Sequence, residues 1–196
     1  MSLENLNDLF EQELKDIYNG ESQIIKALPK LARAAQDADL RAAFEDHLEE
    51  TKVHKQRIEQ IFDMLGLPAK GKTCEGMKGI IEEGDEVLDE AGESVMDAAL
   101  IGAAQRVEHY EIASYGCART YARALGHEEA ADLLQETLDE EKAADVKLTE
   151  LAMTCANRTA KAADDDEPEE VGTKAKTASK PPARAARRRD RAEATR

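Results

Sequence analysis

Four long segments of the chain carry apolar residues at intervals of three or four, and this periodicity limits the fold more than any other feature. Residues spaced in this way share one face of a helix, so the pattern predicts amphipathic helices. The predicted helices cover about residues 3–36, 39–65, 95–125 and 128–154. Pro29 lies within the first of them, and we expect it to bend or interrupt the last turns.

The links between the predicted helices differ in length, and the difference predicts the topology. Very short links join the first helix to the second and the third to the fourth, so each pair should form an antiparallel hairpin. Nearly 30 residues, "GLPAKGKTCEGMKGIIEEGDEVLDEAGES", separate the two hairpins, and their apolar positions predict a short fifth helix. A crossover of this length lets the second and third helices run parallel. We therefore predict an all-α, ferritin-like four-helix bundle.

Charge divides the chain into two parts. The net charge is −15, but residues 1–156 hold 16 Lys and Arg against 34 Asp and Glu, whereas residues 157–196 hold 11 against 8. The second part also has almost no large apolar residues, which is typical of disordered segments. We predict a bundle over residues 1–156 and a disordered tail over 157–196, first acidic and then basic.

Acidic residues interrupt the apolar stripe of each long helix at one depth. Each interruption lies about 20 Å from the nearer hairpin turn, at about 1.5 Å per residue. On the second helix, histidines share the stripe; we predict that His47 is a core residue beside the site rather than a ligand. The candidate metal ligands at this depth are Glu21, Glu50, His54, Glu108, Glu111, Glu141 and Asp145.

Carboxylates at such positions imply a compensating charge. Burying an unpaired carboxylate is costly, and several together are worse, unless a cation or a proton neutralises them. Oxygen ligands with an imidazole suit iron or manganese. Two divalent ions sharing bridging carboxylates would explain the burial. Beyond the metal ligands we predict no catalytic residues.

Several long stretches of the sequence match the pattern of a known family. They include "DIYNGESQIIKALPKLARAA", "AFEDHLEETKVHKQRIEQIF", "DAALIGAAQRVEHYEIASYG" and "LLQETLDEEKAADVKLTELA". In these stretches the chain resembles the YciE/YciF family of ferritin-like proteins. The resemblance covers about residues 3–155. It implies a four-helix bundle with a carboxylate-bridged dinuclear centre, iron binding, ferroxidase-like activity and an association with stress.

The resemblance also implies a ligand pattern, from which this chain departs in part. Rubrerythrin-like proteins use one Glu from the first helix and Glu-x-x-Glu from another, as Glu21 and "EHYE" at 108–111 provide. Their other two helices use Glu-x-x-His, but here Val53 and Ala144 occupy the histidine positions. His54 and Asp145 follow one residue later, which suggests an altered ligand geometry.

Three hypotheses for function remain open from the sequence. In the first, two Fe(II) ions bridged by carboxylates such as Glu50 and Glu111 are oxidised by O2 or hydrogen peroxide. A variant of it is manganese-dependent dismutation of peroxide, since the same ligands take either metal. The second is a non-catalytic helical stress or structural protein whose acids form a polar layer. The third is contact of the basic tail with nucleic acid, which we favour less than a solvated tail.

The remaining features concern partners and location. We expect a homodimer, since single ferritin-like bundles usually self-associate. No apolar run approaches the length of a membrane span, and the amphipathic N-terminus is not a secretory signal. Cys74, Cys117 and Cys155 are scattered and odd in number, which fits neither a disulfide scaffold nor a thiolate zinc site. We therefore expect a cytoplasmic protein.

Overall fold

The computed structural model describes residues 3–166, and these residues form helices without any strand. A 3₁₀ turn at Glu93–Val95 precedes the fourth helix, and a π-helical turn at Ala152–Ala156 follows the fifth. The α-helices are α1 (Leu6–Ala34), α2 (Ala38–Met64), α3 (Glu75–Glu90), α4 (Met96–Ala124), α5 (Glu128–Leu151) and α6 (Asn157–Asp166). The four predicted long helices and the short helix in the crossover are thus confirmed, with ends that differ by a few residues.

The two hairpin links close with local hydrogen bonds. Asp37 caps α2, since its side chain accepts from the backbone of Asp39 at 2.9 Å and Leu40 at 3.0 Å. At the far end of α4, Gly126 adopts a left-handed φ of 80°, and the backbone N–H of His127 donates to Ala122 O at 2.9 Å. This is the hydrogen bond of a Schellman turn, which allows α5 to begin two residues after Gly126.

Helices α1 and α4 lie side by side and run in opposite directions. The end of α1 adjoins the start of α4, where the backbone N–H groups of Gln36 and Asp37 donate to the Asp97 carboxylate at 2.8 and 2.9 Å. At the other end of the bundle, the rings of Phe10 and His127 stack with centroids 6.1 Å apart.

Helices α2 and α5 form a second antiparallel pair. Lys147 lies 3.6 Å from Asp46 near one end, and Arg57 contacts Glu136 at 2.8 Å further along. Because α1 is antiparallel to both α2 and α4, those two helices run parallel. The predicted crossover topology is therefore confirmed, and α3 packs against α1 and α4 on the outside of the bundle.

A polar layer divides the apolar core into two clusters. The cluster nearer the α1–α2 turn contains Ile24, Leu28, Leu40, Phe44, Met77, Leu100, Ile101 and Leu148. The cluster nearer the α4–α5 turn contains Phe10, Leu14, Ile17, Ile58, Ile61, Phe62, Tyr115, Leu134 and Leu138. Along each long helix, the residues between the two clusters include charged or imidazole side chains that are as buried as the core itself.

The structure bears on two expectations about helix ends. Pro29 does not interrupt α1, which continues to Ala34; Leu28 and Ala32 are buried on either side of it, and this packing holds the last turns. The predicted tail begins with a helix instead of a disordered segment. The π-helical turn carries α5 directly into α6, and Ala156 packs in the core beside Leu148. The rest of the predicted tail, residues 167–196, lies outside the described residues.

The helices were compared with membrane spans by their length and hydropathy. Within residues 3–166, no helix combines the length and the apolar character that crossing a bilayer requires.

The turn after α4 generates a prediction about stability. Gly126→Ala should lower the free energy of unfolding by about 1–2 kcal/mol, because a side chain is strained at a left-handed φ. The matched control is Gly116→Ala in the middle of α4, where a Cβ would meet no atom within 4 Å. This control should raise the free energy of unfolding by about 0.5–1 kcal/mol. Urea denaturation in the presence of chelator measures both, and a neutral Gly126→Ala would contradict the assignment of the turn.

Candidate metal centre

Six buried side chains meet between the two apolar clusters, and every long helix contributes at least one. None is more than 7% exposed, and Glu21 and Glu141 are fully buried. The six are Glu21 on α1, His47 and His54 on α2, Glu108 and Glu111 on α4, and Glu141 on α5. We call these residues the polar centre.

One half of the polar centre is formed by His47, Glu108, Glu111 and Glu141. One nitrogen or oxygen atom from each lies within 4.8 Å of the others, a spacing that allows them to surround one metal ion. His47 Nε2 is 3.4 Å from Glu108 Oε1 and 3.9 Å from Glu141 Oε2. The imidazole thus faces two carboxylates from different helices.

The other half is formed by Glu21, His54 and Glu141, whose ligand atoms also lie within 4.8 Å of one another. His54 Nδ1 is 2.8 Å from Glu141 Oε1. Glu141 therefore belongs to both halves and turns one oxygen toward each histidine. A carboxylate placed in this way would be available as a ligand to both halves.

Most polar atoms of this centre lack a hydrogen bond of good geometry, although His54 Nδ1 and Glu141 Oε1 lie 2.8 Å apart as an ion pair. Among the described residues, nine buried side-chain nitrogen and oxygen atoms are unpaired, and seven of the nine belong to the polar centre. They are Glu21 Oε2, His47 Nε2, His54 Nδ1, Glu108 Oε2, Glu111 Oε2 and both oxygens of Glu141. Unpaired buried polar atoms are rare because each one costs free energy. Their convergence is the arrangement expected of metal ligands, so the residues present fit a metal ion.

Burial shifts the pKa of the carboxylic acids upward. Desolvation, together with the charge of Glu141, raises the pKa of Glu21 to about 8. Desolvation also raises the pKa of Glu108 and of Glu111 well above the usual range, and the charge of Glu141 adds to both shifts. Without a cation, Glu21 therefore holds a proton at neutral pH, and Glu108 and Glu111 hold theirs to a higher pH than an exposed Glu does. A divalent ion that binds them must displace those protons.

The orientation of the His54 ring is fixed by a residue outside the polar centre, Glu140. Burial alone would lower the pKa of His54, but the hydrogen bond and charge of Glu141, with the charges of Glu21 and Glu140, raise it to about 9. His54 Nε2 lies 2.9 Å from Glu140 Oε2, and Arg57 forms a charged hydrogen bond to the same carboxylate. This contact fixes the ring and leaves Nδ1 directed into the polar centre. Outer partners of this kind orient metal-binding histidines.

Tyr115 closes the centre on the side of α4. Its ring is fully buried, and its hydroxyl donates a short hydrogen bond to Glu21 Oε1. Desolvation and the charges of Glu21 and Glu111 raise the pKa of this phenol well above its usual value. Tyr115 therefore stays protonated and orients one oxygen of Glu21, while Oε2 remains unpaired.

The structure brings together five of the seven predicted ligands: Glu21, His54, Glu108, Glu111 and Glu141. It does not bring Glu50 or Asp145 into either half. The Glu50 side chain is 55% exposed and contacts His47 Nδ1 at 3.4 Å from outside. Asp145 accepts from Gln105 Nε2 at 3.0 Å and lies 3.4 Å from His109, at the edge between α4 and α5.

His47 takes the place that the sequence interpretation gave to Glu50. It precedes His54 by seven residues, and Thr51 lies between them on the same buried face. Seven residues are close to two helical turns, so this spacing keeps both imidazoles in one stripe. Glu50 is three residues from His47 and falls beside the stripe. The i, i+7 spacing of the histidines is the signal that would have identified His47.

Comparison with known proteins agrees with this architecture. Residues 5–161 match the model of a domain of unknown function, DUF892. The chain is 48% identical over 162 residues to the protein YciF of Escherichia coli, a match that covers 82% of this chain and 98% of YciF.

Solved structures show the same relationship. The crystal structure of the E. coli stress protein YciF has a TM-score of 0.76 at 47% identity and covers 80% of this chain and 99% of its own. YcfI from Rhodopseudomonas palustris has a TM-score of 0.73 at 42% identity, with 76% and 95% covered. A dodecameric thioferritin from Bacteroides fragilis has a TM-score of 0.60 at 16% identity, with 84% and 93% covered. This last likeness shows the ferritin-like fold.

The raised pKa values predict how the metal-free protein responds to pH. Glu21, with a pKa of about 8 in the folded chain, contributes stability that is present below its ordinary pKa of 4.5 and lost as the pH rises through 8. His54 contributes in the same direction between its ordinary 6.5 and about 9. The Tm of chelator-treated protein should therefore fall between about pH 6 and 9, with up to about 1.4 kcal/mol lost per pH unit for each proton released.

A matched pair of variants isolates the polar centre in this pH dependence. Glu21→Gln removes one of the titrating groups and should make the fall in Tm shallower. Glu150→Gln, on the exposed side of α5, should leave the slope unchanged. A Tm of metal-free protein that rises over this pH range would contradict the assigned protonation.

Proposed function

Since this chain belongs to the DUF892 family and is similar to the E. coli stress protein YciF along most of its length, we propose that it is a dinuclear metal protein. The metal is iron, and the function is oxidation of Fe(II) by O2 or hydrogen peroxide during stress. The chain is thereby a ferroxidase-like oxidoreductase whose reactive groups are the metal ligands themselves.

The observation that carries the proposal is the shared position of Glu141. Two groups of ligand atoms lie side by side, and Glu141 belongs to both. A single ion would use one group and leave the atoms of the other unpaired. With two ions, His47, Glu108, Glu111 and Glu141 would hold one, and Glu21, His54 and Glu141 would hold the other.

Charge balance supports the same stoichiometry. The polar centre holds four carboxylates and two imidazoles. Two divalent ions cancel the charge of the four carboxylates when both imidazoles are neutral, which leaves a buried site without net charge. Isolated buried charges cost several kcal/mol each, so neutrality matters at this depth. Oxygen and imidazole ligands are also the donor set that iron accepts.

The surrounding residues would control access and protons. Bound Fe(II) would supply the electrons, one from each of two ions, and with two protons they convert one hydrogen peroxide into two waters. Ile17 and Leu138 on one side, and Ile24 and Leu148 on the other, belong to apolar clusters that keep bulk water from the centre. Tyr115 holds Glu21 in place through its hydroxyl.

Two alternatives share parts of this geometry. Manganese would bind the same ligands and favour dismutation of peroxide, and elemental analysis of the protein purified from its own host distinguishes the two metals. A metal-free polar layer is supported by the paired carboxyl groups, because Glu21 hydrogen-bonds Glu111 and Glu108 hydrogen-bonds Glu141. His47 Nε2, which faces two carboxylates without a hydrogen bond to either, argues against this second alternative. A homodimer and a cytoplasmic location stay predictions.

The bridging role of Glu141 predicts the effect of one neutral substitution. Glu141→Gln keeps the shape of the side chain and removes the shared negative charge, so iron content should fall from two ions per chain to less than one. The oxygen-dependent rise in near-ultraviolet absorbance should disappear with it. The control is Glu150→Gln on the exposed side of the same helix, which should keep two irons. Equal iron content in both variants and the parent would refute the dinuclear centre.

The contact between His54 and Glu140 predicts a smaller effect on metal binding. Glu140→Gln weakens the support of the imidazole, and metal affinity should fall by about 10- to 100-fold. Its control is Glu136→Gln, since Glu136 also contacts Arg57 but not His54. Competition with a chelator of known affinity measures both variants. If the two substitutions have the same small effect, Glu140 does not position His54.

A further inference from the structure

A cavity of about 190 Å³ lies inside the bundle next to the polar centre, on the side that α3 covers. It is bounded by all four long helices and by α3. Most of its wall is apolar, and the large side chains in it include Leu28, Phe44, Ile81, Val107 and Leu148. Its volume does not overlap with the cluster around Phe62 at the other end of the bundle.

Small residues leave this space open. Ala103 and Ala104 on α4, Ala144 on α5 and Gly84 on α3 all line the cavity. The other half of the bundle also buries alanines on α4 and α5, but there they belong to one cluster with leucine, isoleucine, phenylalanine and tyrosine side chains. Bundle interiors normally pack to the density of organic crystals. The open volume next to the polar centre is therefore a property of the sequence and not of the fold in general.

The cavity reaches the polar centre at His47 and Glu108, which form part of its wall. His47 Nε2 and Glu108 Oε2 are two of the unpaired atoms. A molecule in the cavity would thus lie against the half of the centre that contains His47, and no other side chain separates it from those ligands. The half that contains Glu21 and His54 does not line the cavity.

We propose that this cavity binds a small, uncharged, apolar organic molecule and presents it to the edge of the metal centre formed by His47 and Glu108. The proposal rests on the proposed function for the metal and adds a substrate class to it. Apolar cavities of roughly 150 Å³ hold one molecule of benzene. A volume of 190 Å³ accommodates a substituted benzene ring or a short alkyl chain.

The charged residues of the wall offer nothing to an anion. Lys147 is the single Lys or Arg among them, and it lies 3.6 Å from Asp46, so it is already paired with an acid. The wall also contains the carboxyl groups of Glu50 and Glu108. A carboxylate ligand such as a fatty acid would therefore find no free Lys or Arg, whereas a neutral apolar molecule gains from leaving water without electrostatic cost.

Fluorobenzene and a paramagnetic metal provide a direct test on the full-length chain. The protein is loaded with Mn²⁺, which the same ligands bind, or with diamagnetic Zn²⁺, and titrated with fluorobenzene under fluorine NMR. We expect saturable binding of one molecule per chain in both forms. The fluorine relaxation rate of the bound molecule should be at least tenfold faster with Mn²⁺ than with Zn²⁺.

Cavity-filling variants locate the bound molecule. Ala104→Leu should weaken fluorobenzene binding at least tenfold and leave the metal content unchanged. The matched control is Ala113→Leu, the same substitution at an exposed position of α4, and its affinity should stay within twofold of the parent. If Ala104→Leu does not fold, Ala144→Leu replaces it in the experiment. Ala144 also lines the cavity, and it is partly exposed on α5.

The outcomes separate this inference from the proposed function. Metal-loaded protein that shows no saturable binding, equal relaxation with Mn²⁺ and Zn²⁺, or binding that the filling variants leave intact would each overturn the cavity proposal. Failure of the chain to retain Mn²⁺ or Zn²⁺ would instead overturn the metal centre, and fluorobenzene binding would then be followed by its effect on the Tm.

Discussion

The burial of four carboxylates at one level of the bundle is the constraint on which the rest of the structure depends. Glu21, Glu108, Glu111 and Glu141 come from three helices and are withdrawn from water almost completely. Apolar side chains alone cannot compensate such charges, and the carboxylic acids must be neutralised by protons or by cations. The raised pKa values correspond to neutralisation by protons. Neutralisation by cations is what we propose, with Glu141 placed between the two imidazoles. The division of the core into two apolar clusters follows from this layer.

The topology of the bundle brings the residues of this layer together. Each hairpin contributes both of its helices, and the crossover sets α1 against α4 in opposite directions, so that residues in the middle of all four helices share one depth. The crossover also places α3 over the side of the bundle that contains the cavity. The carboxylate layer and the cavity are adjacent because the small side chains of α4 and α5 begin where the acids end. Contacts from outside the layer orient the histidine rings. Glu140, for example, contacts Nε2 of His54 and leaves Nδ1 directed into the polar centre.

Much of this arrangement could be predicted from the sequence, and the failures have a common cause. The positions of Glu21, Glu108 and Glu141 were predictable because each replaces an apolar residue within a regular stripe. Residues at the edge of a stripe were not, since a step of three or four residues departs from a full turn by 40–60°. That rotation separates His47, which faces the interior, from Glu50, which faces solvent. The helical start of the predicted tail was missed because α6 is held by tertiary contacts, with the 3₁₀ turn at Glu93–Val95 and with α4.

The most direct test of the central claim is a crystal structure of the protein purified from its own host, with anomalous diffraction recorded on both sides of the iron absorption edge. The account predicts two anomalous peaks beside Glu141, one within bonding distance of His47 and the other within bonding distance of His54. Absence of anomalous density at this level, with the carboxyl groups paired to one another or to ordered water, would contradict it.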